Sequence, residues 1–305
     1  MVDLDAPPLE IAPEDVEELT GAAQLEAALV LGIRDYFEKQ RLPKRVVIGL
    51  SGGIDSAVVA HLAVKALGPE GVLGVLMPGP FSSEHSVKDA EDLGRLLGIE
   101  TRTVDIQPIY RQYLEVFRSL FGPHEGWGLT GQNIQARTRG TILMAVSNQE
   151  NRLVLCTGNK SELSMGYCTL YGDMVGGLAV IGDVYKGDVY ALAHQANKDR
   201  LRIPLSTIEK PPSAELAPDQ RDDDDLPAYD QLDFVLRQLI EDERSGAALV
   251  APPGAGPELV RDIERRLDRN EYKRRQGPLV LRTSTKAFGL GRRLPIVHRY
   301  PGAGH

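Results

Sequence analysis

The feature that most constrains the fold is an apolar stretch that runs into a glycine-rich loop and continues as a helical pattern. Residues 46–56 read VVIGLSGGIDS, and an Ala-, Val- and Leu-rich stretch follows to Leu67. The aliphatic run predicts a buried strand, and the later spacing predicts a helix. Glycines let a ligand approach the backbone closely, and free N–H groups at a helix start attract an anion. The sequence therefore predicts a strand–loop–helix unit that binds a phosphate group.

The loop SGGIDS lacks two common phosphate-binding signatures. No Gly-Lys-Ser/Thr follows at the Walker A spacing, and the three-glycine fingerprint of dinucleotide-binding folds is absent. Its hydroxyl and amide donors nevertheless suit a phosphate, and Asp55 suits a hard cation bound to that phosphate. The alternative from the residues alone is an ordinary glycine turn between a strand and a helix.

Strand and helix patterns alternate over the first half of the chain. The expected strands cover about 45–50, 71–77, 100–105 and 153–157, and the expected helices about 15–40, 54–67, 82–98, 108–121 and 132–148. This rhythm of apolar strands predicts an α/β fold, a doubly wound parallel sheet with helices on both faces. Ligands of such sheets bind beyond the carboxyl ends of strands, where SGGIDS and Thr157 both fall. Later helices are expected at about 229–244 and 258–275.

Composition disfavours several classes of protein. The chain has 305 residues and a formal net charge of −8, which fits one large globular domain and disfavours a nucleic-acid or anionic-membrane surface. The acidic, proline-bearing start is unlike a targeting peptide, and no apolar run reaches the length of a membrane span. Cys156 and Cys168 lack metal-binding spacing and are interpreted as reduced thiols, so a cytoplasmic location is expected.

Three stretches lack the pattern of regular structure. Residues 1–14 are expected to form a flexible tail ahead of a single domain over residues 15–305, with two domains as the alternative. Residues 122–131 are expected to form a glycine-rich loop. Residues 205–228 contain several prolines and four consecutive aspartates, and are expected to be without secondary structure. A segment of this last kind is either a solvated surface loop or a functional lid.

Five motifs, taken in order, point to one family. SGGIDS resembles the pyrophosphate-binding loop of the ATP pyrophosphatase superfamily. The further motifs are NIQAR at 133–137, GNKSELSMGYCTLYGDMVGG at 158–177, KPPSAEL at 210–216 and NEYKRRQ at 270–276. Together they resemble NAD synthetase over about residues 25–299. The resemblance implies an adenine nucleotide alpha-hydrolase-like fold. It also implies ATP- and Mg²⁺-dependent amidation of deamido-NAD with ammonia, through an adenylate, with release of AMP and pyrophosphate.

The resemblance assigns roles to matched positions. It implies that Asp55 and Glu162 hold magnesium and that Lys186 acts with them in catalysis. The implied ATP-binding residues are Gly49, Leu50, Ser51, Gly52, Gly53, Ile54, Asp55, Ser56, Thr157, Lys186 and Ser213, and the implied deamido-NAD contacts are Asn133, Arg137 and Lys273.

Plainer interpretations of four of these residues stay open. Glu162 fits a carboxylate at a helix start, and Lys186 fits an ordinary surface lysine. Arg137 fits a solvated helix face, and Lys273 fits compensation of a helix dipole.

The match also has departures. Leu170 and Gly177 stand where short, ammonia-using bacterial members carry a lysine and an aspartate, and TLYGDMVGG resembles the synthetase portion of longer, glutamine-using members. Residues 1–45 are too few to fold as a glutaminase domain, so the expected nitrogen source is free ammonia or ammonia from a separate glutaminase subunit. The family resemblance also implies a homodimer.

Two alternatives to this function remain. One is another adenylating enzyme of the superfamily, of the GMP synthetase or tRNA-modifying kind, although the acidic chain lacks the basic surface that tRNA binding needs. The other is a module that senses ATP without turnover.

Overall fold

The computed structural model describes residues 19–123, 127–218, 220–289 and 291–297. Its strands are β1 (Val46–Leu50), β2 (Val72–Leu76), β3 (Glu100–Thr103), β4 (Leu153–Cys156), β5 (Leu178–Ala179) and β6 (Leu279–Val280). They form one parallel sheet in the order β3-β2-β1-β4-β5-β6. The order runs outward in opposite directions from β1 and β4, which therefore flank the point where doubly wound sheets bind ligands. The predicted α/β fold is confirmed.

Helices surround this sheet and continue beyond it. They are α1 (Gly21–Lys39), α2 (Ile54–Leu67), α3 (Glu84–Leu97), α4 (Gln107–Phe121), α5 (Gly128–Glu150), α6 (Lys160–Met165), α7 (Lys186–Ala196), α8 (Leu205–Glu209), α9 (Tyr229–Ile240), α10 (Pro257–Arg269) and α11 (Glu271–Arg274), with short 3-10 turns at Pro69–Gly71, Asp222–Asp224 and Gly246–Ala248. None of the described helices combines the length and the apolar character that crossing a membrane requires.

Side chains of β1 alternate between the two faces of the sheet. Val46, Ile48 and Leu50 join a buried cluster with α1, α2 and α7. Val47 joins a second cluster, which includes Leu143 of α5. Successive side chains of a strand point to opposite faces, and helices cover both faces here, so every one of these positions is apolar.

A third apolar cluster belongs to the C-terminal helices. Helices α6, α9 and α10 pack together through residues that include Leu163, Leu236 and Ile263. Helix α7 contacts α9 and so joins this cluster to the sheet. As a result, the first turn of α6 and the first turn of α7 are both held at the carboxyl edge of the sheet.

The structure corrects several expectations about individual elements. Strand β3 is polar and exposed rather than apolar, because it is the edge strand and pairs only with β2 among the described residues. The short strands β5 and β6 were not predicted, since two residues show no period. Residues 205–228 are not without structure: they contain α8 and the 3-10 turn at Asp222–Asp224.

Element boundaries also differ at two places. The predicted helix at 15–40 begins at Gly21. The expected loop at 122–131 ends earlier, because α5 begins at Gly128. The expected tail, residues 1–14, lies outside the described residues.

Candidate functional site

A cavity of about 290 Å³ lies at the carboxyl ends of β1, β2 and β4. It is lined by most of the residues that the sequence predicts for ATP and metal, which come from five separate segments. These are Gly49, Leu50, Ser51, Gly53, Ile54, Asp55, Ser56, Thr157, Glu162, Lys186 and Ser213. Gly52 is the predicted member that does not line this cavity.

Gly52 instead fixes the path of the loop. Its φ is +75°, and a Cβ at this position would meet the carbonyl oxygen of Ser86 at 2.2 Å. Both the left-handed backbone and the close contact require glycine. The loop hydroxyls complete the turn, since Ser56 Oγ donates to Gly53 O at 3.0 Å and Gly53 N donates to Ser51 Oγ at 3.2 Å. SGGIDS is therefore a fixed loop that rests on the first turn of α3.

Lys186 lies at the centre of the charged part of the cavity. Its Nζ donates to Asp55 Oδ2 at 2.6 Å and forms an ion pair with Glu162 Oε1 at 3.5 Å. The side chain is almost fully buried, so the interpretation as an ordinary surface lysine is wrong. Its ammonium group also lies 5.1 Å from the ring centroid of Tyr229. The buried ammonium of Lys186, at the start of α7, thus connects α7 to Asp55 after β1 and to Glu162 of α6.

Glu162 is held in place by the local sequence of its helix. Asn159 caps α6: its Oδ1 accepts from Glu162 N at 2.9 Å, and Glu162 Oε2 accepts from Asn159 N at 3.2 Å. This is a capping box, the arrangement expected for Asn three residues before Glu. Asn159 Nδ2 also donates to Asp55 Oδ1 at 2.8 Å. Glu162 is therefore both the helix-start carboxylate and a member of the predicted metal pair.

Asp233 of α9 connects the starts of α6 and α7. Its Oδ1 accepts from Ser161 Oγ at 2.5 Å, and its Oδ2 accepts from Gly187 N at 2.9 Å. Ser161 Oγ in turn accepts from Lys186 N at 3.0 Å. One buried carboxylate thus fixes the backbone positions from which Glu162 and Lys186 reach the cavity.

The charged groups shift one another's ionisation. Burial raises the pKa of Glu162, the Asp55 carboxylate raises it further, and Lys186 opposes both effects. Burial alone would lower the pKa of Lys186, but the Asp55 and Glu162 carboxylates outweigh it and raise that pKa. Lys186 is therefore a stable cation.

Residues of the segment 205–228, named here the lid segment after its predicted role, line the cavity and make polar contacts with α3 and its N-cap. Ser86 Oγ donates to Glu215 Oε1 at 2.6 Å, and Ser83 N donates to Glu215 Oε2 at 3.1 Å. Lys210 Nζ donates to Ser86 Oγ at 2.9 Å. Ser213 shapes the lid itself, since its Oγ donates to Gln220 O at 2.5 Å. These contacts are polar, and the lid segment buries few apolar side chains.

The predicted dinucleotide contacts lie outside the cavity lining but share one neighbour, the segment after α6. Asn133 Oδ1 accepts from Thr169 Oγ1 at 2.8 Å, and Arg137 Nε donates to Leu170 O at 3.1 Å. Lys273 Nζ donates to the carbonyl oxygens of Gly166 and Cys168 at 2.7 and 2.9 Å. The three residues therefore support residues 166–170 in this structure, and their contact with a dinucleotide stays a prediction.

The two departures from the short, ammonia-using members have structural reasons. Leu170 packs against the apolar cluster of α6, α9 and α10. A Cβ at Gly177 would lie 2.4 Å from Leu153 Cδ1 of β4, so a larger side chain there requires Leu153 to move.

The structure also adds residues to the cavity that the sequence analysis did not select. These are Arg139, Tyr167, Asp173, Tyr190, Lys210, Glu215 and Asp222. Arg139 Nε donates to Met77 O at 3.0 Å, and burial lowers its pKa to about 10. Asp173 accepts from Thr169 N at 2.7 Å, and burial raises its pKa to about 6. Asp173 lies within the motif at 158–177, and Arg139 lies two residues after NIQAR. Their position in or beside these motifs is the sequence feature that could have pointed to them.

Both cysteines line the cavity, but they are poor nucleophiles there. Burial raises the pKa of Cys156 and of Cys168 to about 12. A thiol with such a pKa carries almost no thiolate at neutral pH.

The donor set suits a hard cation that also binds a ligand. In the described ranges, no three His, Cys, Asp or Glu side chains already converge as a complete metal site. Mg²⁺ usually takes one or two carboxylates and completes its shell with phosphate and water. Asp55 and Glu162 meet that requirement, because both already face one cation, the Lys186 ammonium.

Comparisons with known proteins show which family this chain is similar to. The family profile described as NAD synthase matches residues 25–277. A glutamine-dependent NAD(+) synthetase from Synechocystis sp. is 47% identical over 277 residues, which cover 91% of this chain and 49% of that protein. The chain spans about half the length of such relatives, with 49% and 47% of two of them covered.

Two solved structures show the same likeness. The glutamine-dependent NAD+ synthetase from Acinetobacter baumannii, in complex with ADP, matches with a TM-score of 0.62 and 42% identity, over 92% of this chain and 51% of that one. The NH3-dependent NAD synthetase from Campylobacter jejuni matches with a TM-score of 0.67 and 28% identity, over 84% and 96% of the two chains.

Proposed function

The chain belongs to the NAD synthase family, and from this premise we propose that it amidates the carboxylate of deamido-NAD with ATP and ammonia. The observation that carries the proposal is the meeting of SGGIDS, Glu162 and Lys186 in one cavity at the switch point of the sheet. The names of the similar proteins support the same reaction.

The proposed reaction has two steps. A carboxylate oxygen of deamido-NAD attacks the α-phosphorus of ATP, and the bond to pyrophosphate breaks to leave an acyl adenylate. Ammonia then attacks the acyl carbon and loses a proton. The bond between the acyl carbon and the bridging oxygen breaks, and AMP leaves with that oxygen. Neither step needs a protein nucleophile, which agrees with the high pKa of both thiols.

The chain contributes binding and charge to these steps. Five residues of SGGIDS line the cavity, and backbone amides and hydroxyls of this loop would hold the triphosphate. The flexible ammonium of Lys186 would move towards the leaving pyrophosphate and stabilise the negative charge that develops on it. For this it must exchange its present contact with Asp55 for the phosphate.

Asp55 and Glu162 would hold magnesium beside the triphosphate. A bound Mg²⁺ supplies neutralisation of phosphate charge. Release of Lys186 from both carboxylates would leave their oxygens free for this cation.

Deamido-NAD would bind with help from Asn133, Arg137 and Lys273, as the family resemblance implies. We propose a homodimer for the same reason. It is supported by exposed apolar side chains on α4 and at the start of α5, namely Ile109, Val116, Leu120, Phe121 and Leu129. Sedimentation of the purified chain tests this, because a monomer at micromolar concentration would contradict it.

We propose free ammonia as the nitrogen donor of this chain. Glutamine hydrolysis needs a reactive nucleophile, and burial makes both cysteines of the sequence unreactive. Several similar proteins are named as glutamine-dependent. A separate glutaminase subunit that hydrolyses glutamine and passes ammonia to this chain is therefore the alternative source of nitrogen.

The test is incubation with ATP, Mg²⁺, ammonium and deamido-NAD, followed by separation of the products. Equal amounts of NAD and AMP are expected. Absence of both would contradict the proposal, and ATP binding without turnover would favour a sensing module. A parallel incubation with xanthosine monophosphate tests the GMP synthetase alternative. A third, with glutamine as the sole donor after removal of ammonium, should give no NAD.

A further inference from the structure

A second buried lysine lies outside the lining of the cavity. Lys160, the first residue of α6, is fully buried and is not among the residues that line the cavity. Its Nζ forms an ion pair with Asp183 Oδ1 at 2.8 Å and donates to Glu241 Oε1 at 2.5 Å. Asp183 lies in the segment just ahead of α7, and Glu241 follows the end of α9. One buried ammonium therefore connects the starts of α6 and α7 to α9.

This ion pair lies close in sequence to the charged pair of the cavity. Lys160 precedes Glu162 by two residues, and Asp183 precedes Lys186 by three. The backbone adds a further connection, since Lys160 N donates to Val184 O at 2.9 Å. Lys160 and Asp183 therefore act as a clamp on the two segments that carry the charged pair. The position of Glu162 relative to Lys186, with 3.5 Å between Oε1 and Nζ, is supported by this clamp.

The loop at residues 282–286 supplies further polar partners to the clamp. Asp183 Oδ2 accepts from Thr283 N at 2.8 Å and from Ser284 N at 2.7 Å. Ser284 Oγ donates to Asp183 Oδ1 at 2.9 Å and accepts from Lys160 Nζ at 2.8 Å. A buried ion pair offsets its desolvation cost only when further hydrogen bonds satisfy its remaining donors and acceptors. The Ser284 hydroxyl contributes to both halves of the clamp at once.

We propose that the 282–286 loop positions the charged pair of the cavity through this clamp, and that the Ser284 hydroxyl transmits the effect. The charged pair is Glu162 and Lys186, so the inference rests on the proposed function. The loop lies beyond residue 277, where the match to the family profile ends. Ser284 does not line the cavity, so its effect on the reaction is one of positioning. A misplacement of about 1 Å at a reacting group can lower turnover roughly 100-fold.

The kinetics of Ser284→Ala test this role. The variant loses the shared hydroxyl and keeps both charges and both backbone donors of the clamp. Its kcat should fall roughly 10-fold while KM for ATP changes little. Ser284→Thr keeps a hydroxyl and should recover most of the original kcat. Lys286→Gln is the matched control from the same loop and should leave kcat unchanged, because Lys286 Nζ pairs with the exposed Glu243.

Cation binding gives a readout that does not depend on turnover. Mn²⁺ is titrated into the chain with a non-hydrolysable ATP analogue, and free Mn²⁺ is followed by electron paramagnetic resonance. Ser284→Ala should weaken Mn²⁺ binding roughly 10-fold, the lower end of the range for supporting groups of a metal site. Glu26→Gln controls for a general loss of stability, because it breaks a buried ion pair whose residues do not line the cavity. This control should bind Mn²⁺ as tightly as the original chain.

Three results would overturn the inference. These are an unchanged kcat in Ser284→Ala, an unchanged Mn²⁺ affinity in the same variant, and losses in Glu26→Gln equal to those in Ser284→Ala. If the original chain makes NAD in these cases, the proposed function stands without the inference. If the original chain makes no NAD, the proposed function fails, and the Mn²⁺ titration still tests the positioning of Glu162 separately.

Discussion

Lys186 Nζ lies 2.6 Å from Oδ2 of Asp55, a contact that joins residues 131 apart in the sequence. The ammonium occupies the position where two carboxylates of the site meet, and it is almost fully buried, whereas the two carboxylates are partly exposed. Before a nucleotide binds, Lys186 thus serves as the counter-charge of the loop that receives the phosphates. Ligand binding must redistribute these charges.

Asp55→Asn keeps the shape of the side chain and removes its charge. We expect turnover to fall at least ~100-fold, the scale of losing one strong electrostatic group in a water-poor site. Glu162→Gln should behave alike. The measurement is steady-state NAD formation at saturating Mg²⁺, with Asp92→Asn, a change on the outer part of α3, as control. Near-normal turnover of Asp55→Asn would make Asp55 a structural residue.

Asp233→Asn should lower kcat roughly 10-fold or more while KM for ATP changes little, because small displacements of positioned groups reduce turnover strongly. In the described part of the chain, Asp233 makes no hydrogen bond to the side chains of Asp55, Glu162 or Lys186. It acts through its hydrogen bonds with Ser161 Oγ and Gly187 N. Ser161→Ala should cost a similar factor.

A double-mutant cycle checks this positioning role. The combined variant should be no worse than the poorer single variant, since both changes break the same connection. Asp230→Asn, on the exposed side of α9, is the matched control. Strictly additive losses would show that Asp233 and Ser161 act independently.

The lid segment should be cut by protease in the free chain and protected by ATP, Mg²⁺ and deamido-NAD, since polar contacts supply most of its attachment. Glu215→Gln weakens three of those contacts, with Ser83 N, Ser83 Oγ and Ser86 Oγ. It should raise the cleavage rate of the free chain several-fold. Glu209→Gln, an exposed change in α8, should not. Equal cleavage of the lid with and without ligands would contradict its closing role.

A pH prediction concerns a buried ion pair between α1 and α2, whose residues do not line the cavity. Glu26 Oε1 lies 2.7 Å from His61 Nε2, and Glu26 Oε2 accepts from Lys65 Nζ at 2.7 Å. Burial opposes ionisation of Glu26, but the hydrogen bonds from His61 and Lys65 prevail and hold its pKa at about 2.

Because this folded-state pKa is lower than the ordinary 4.5, the stabilisation is complete above pH 4.5 and is lost as the pH falls towards 2. The difference in Tm between the original chain and Glu26→Gln should therefore be largest near neutral pH and should shrink below about pH 4. A difference that does not change with pH would show that the effect is one of packing.

The sequence predicted the α/β fold, and it predicted that SGGIDS and Thr157 lie at the same edge of the sheet. Asp55, Thr157 and Glu162 follow strand ends inside local motifs, so their shared position could be inferred from the parallel sheet. Asp222 and Asp233 could not be inferred in this way. Asp233 meets Ser161 across 72 residues, and no local pattern separates Asp222 from its three exposed neighbours. Strands β5 and β6 were missed because their pairing depends on neighbouring strands rather than on their own residues.

In the proposed mechanism, deamido-NAD is activated as an acyl adenylate in the cavity between SGGIDS and Lys186. Deamido-NAD whose nicotinate carboxylate carries heavy oxygen tests this step. After turnover with ATP, Mg²⁺ and ammonium, mass spectrometry should find one labelled oxygen in AMP and none in pyrophosphate. Label in inorganic phosphate, together with ADP as product, would reveal an acyl phosphate and contradict the account. So would AMP that carries no label.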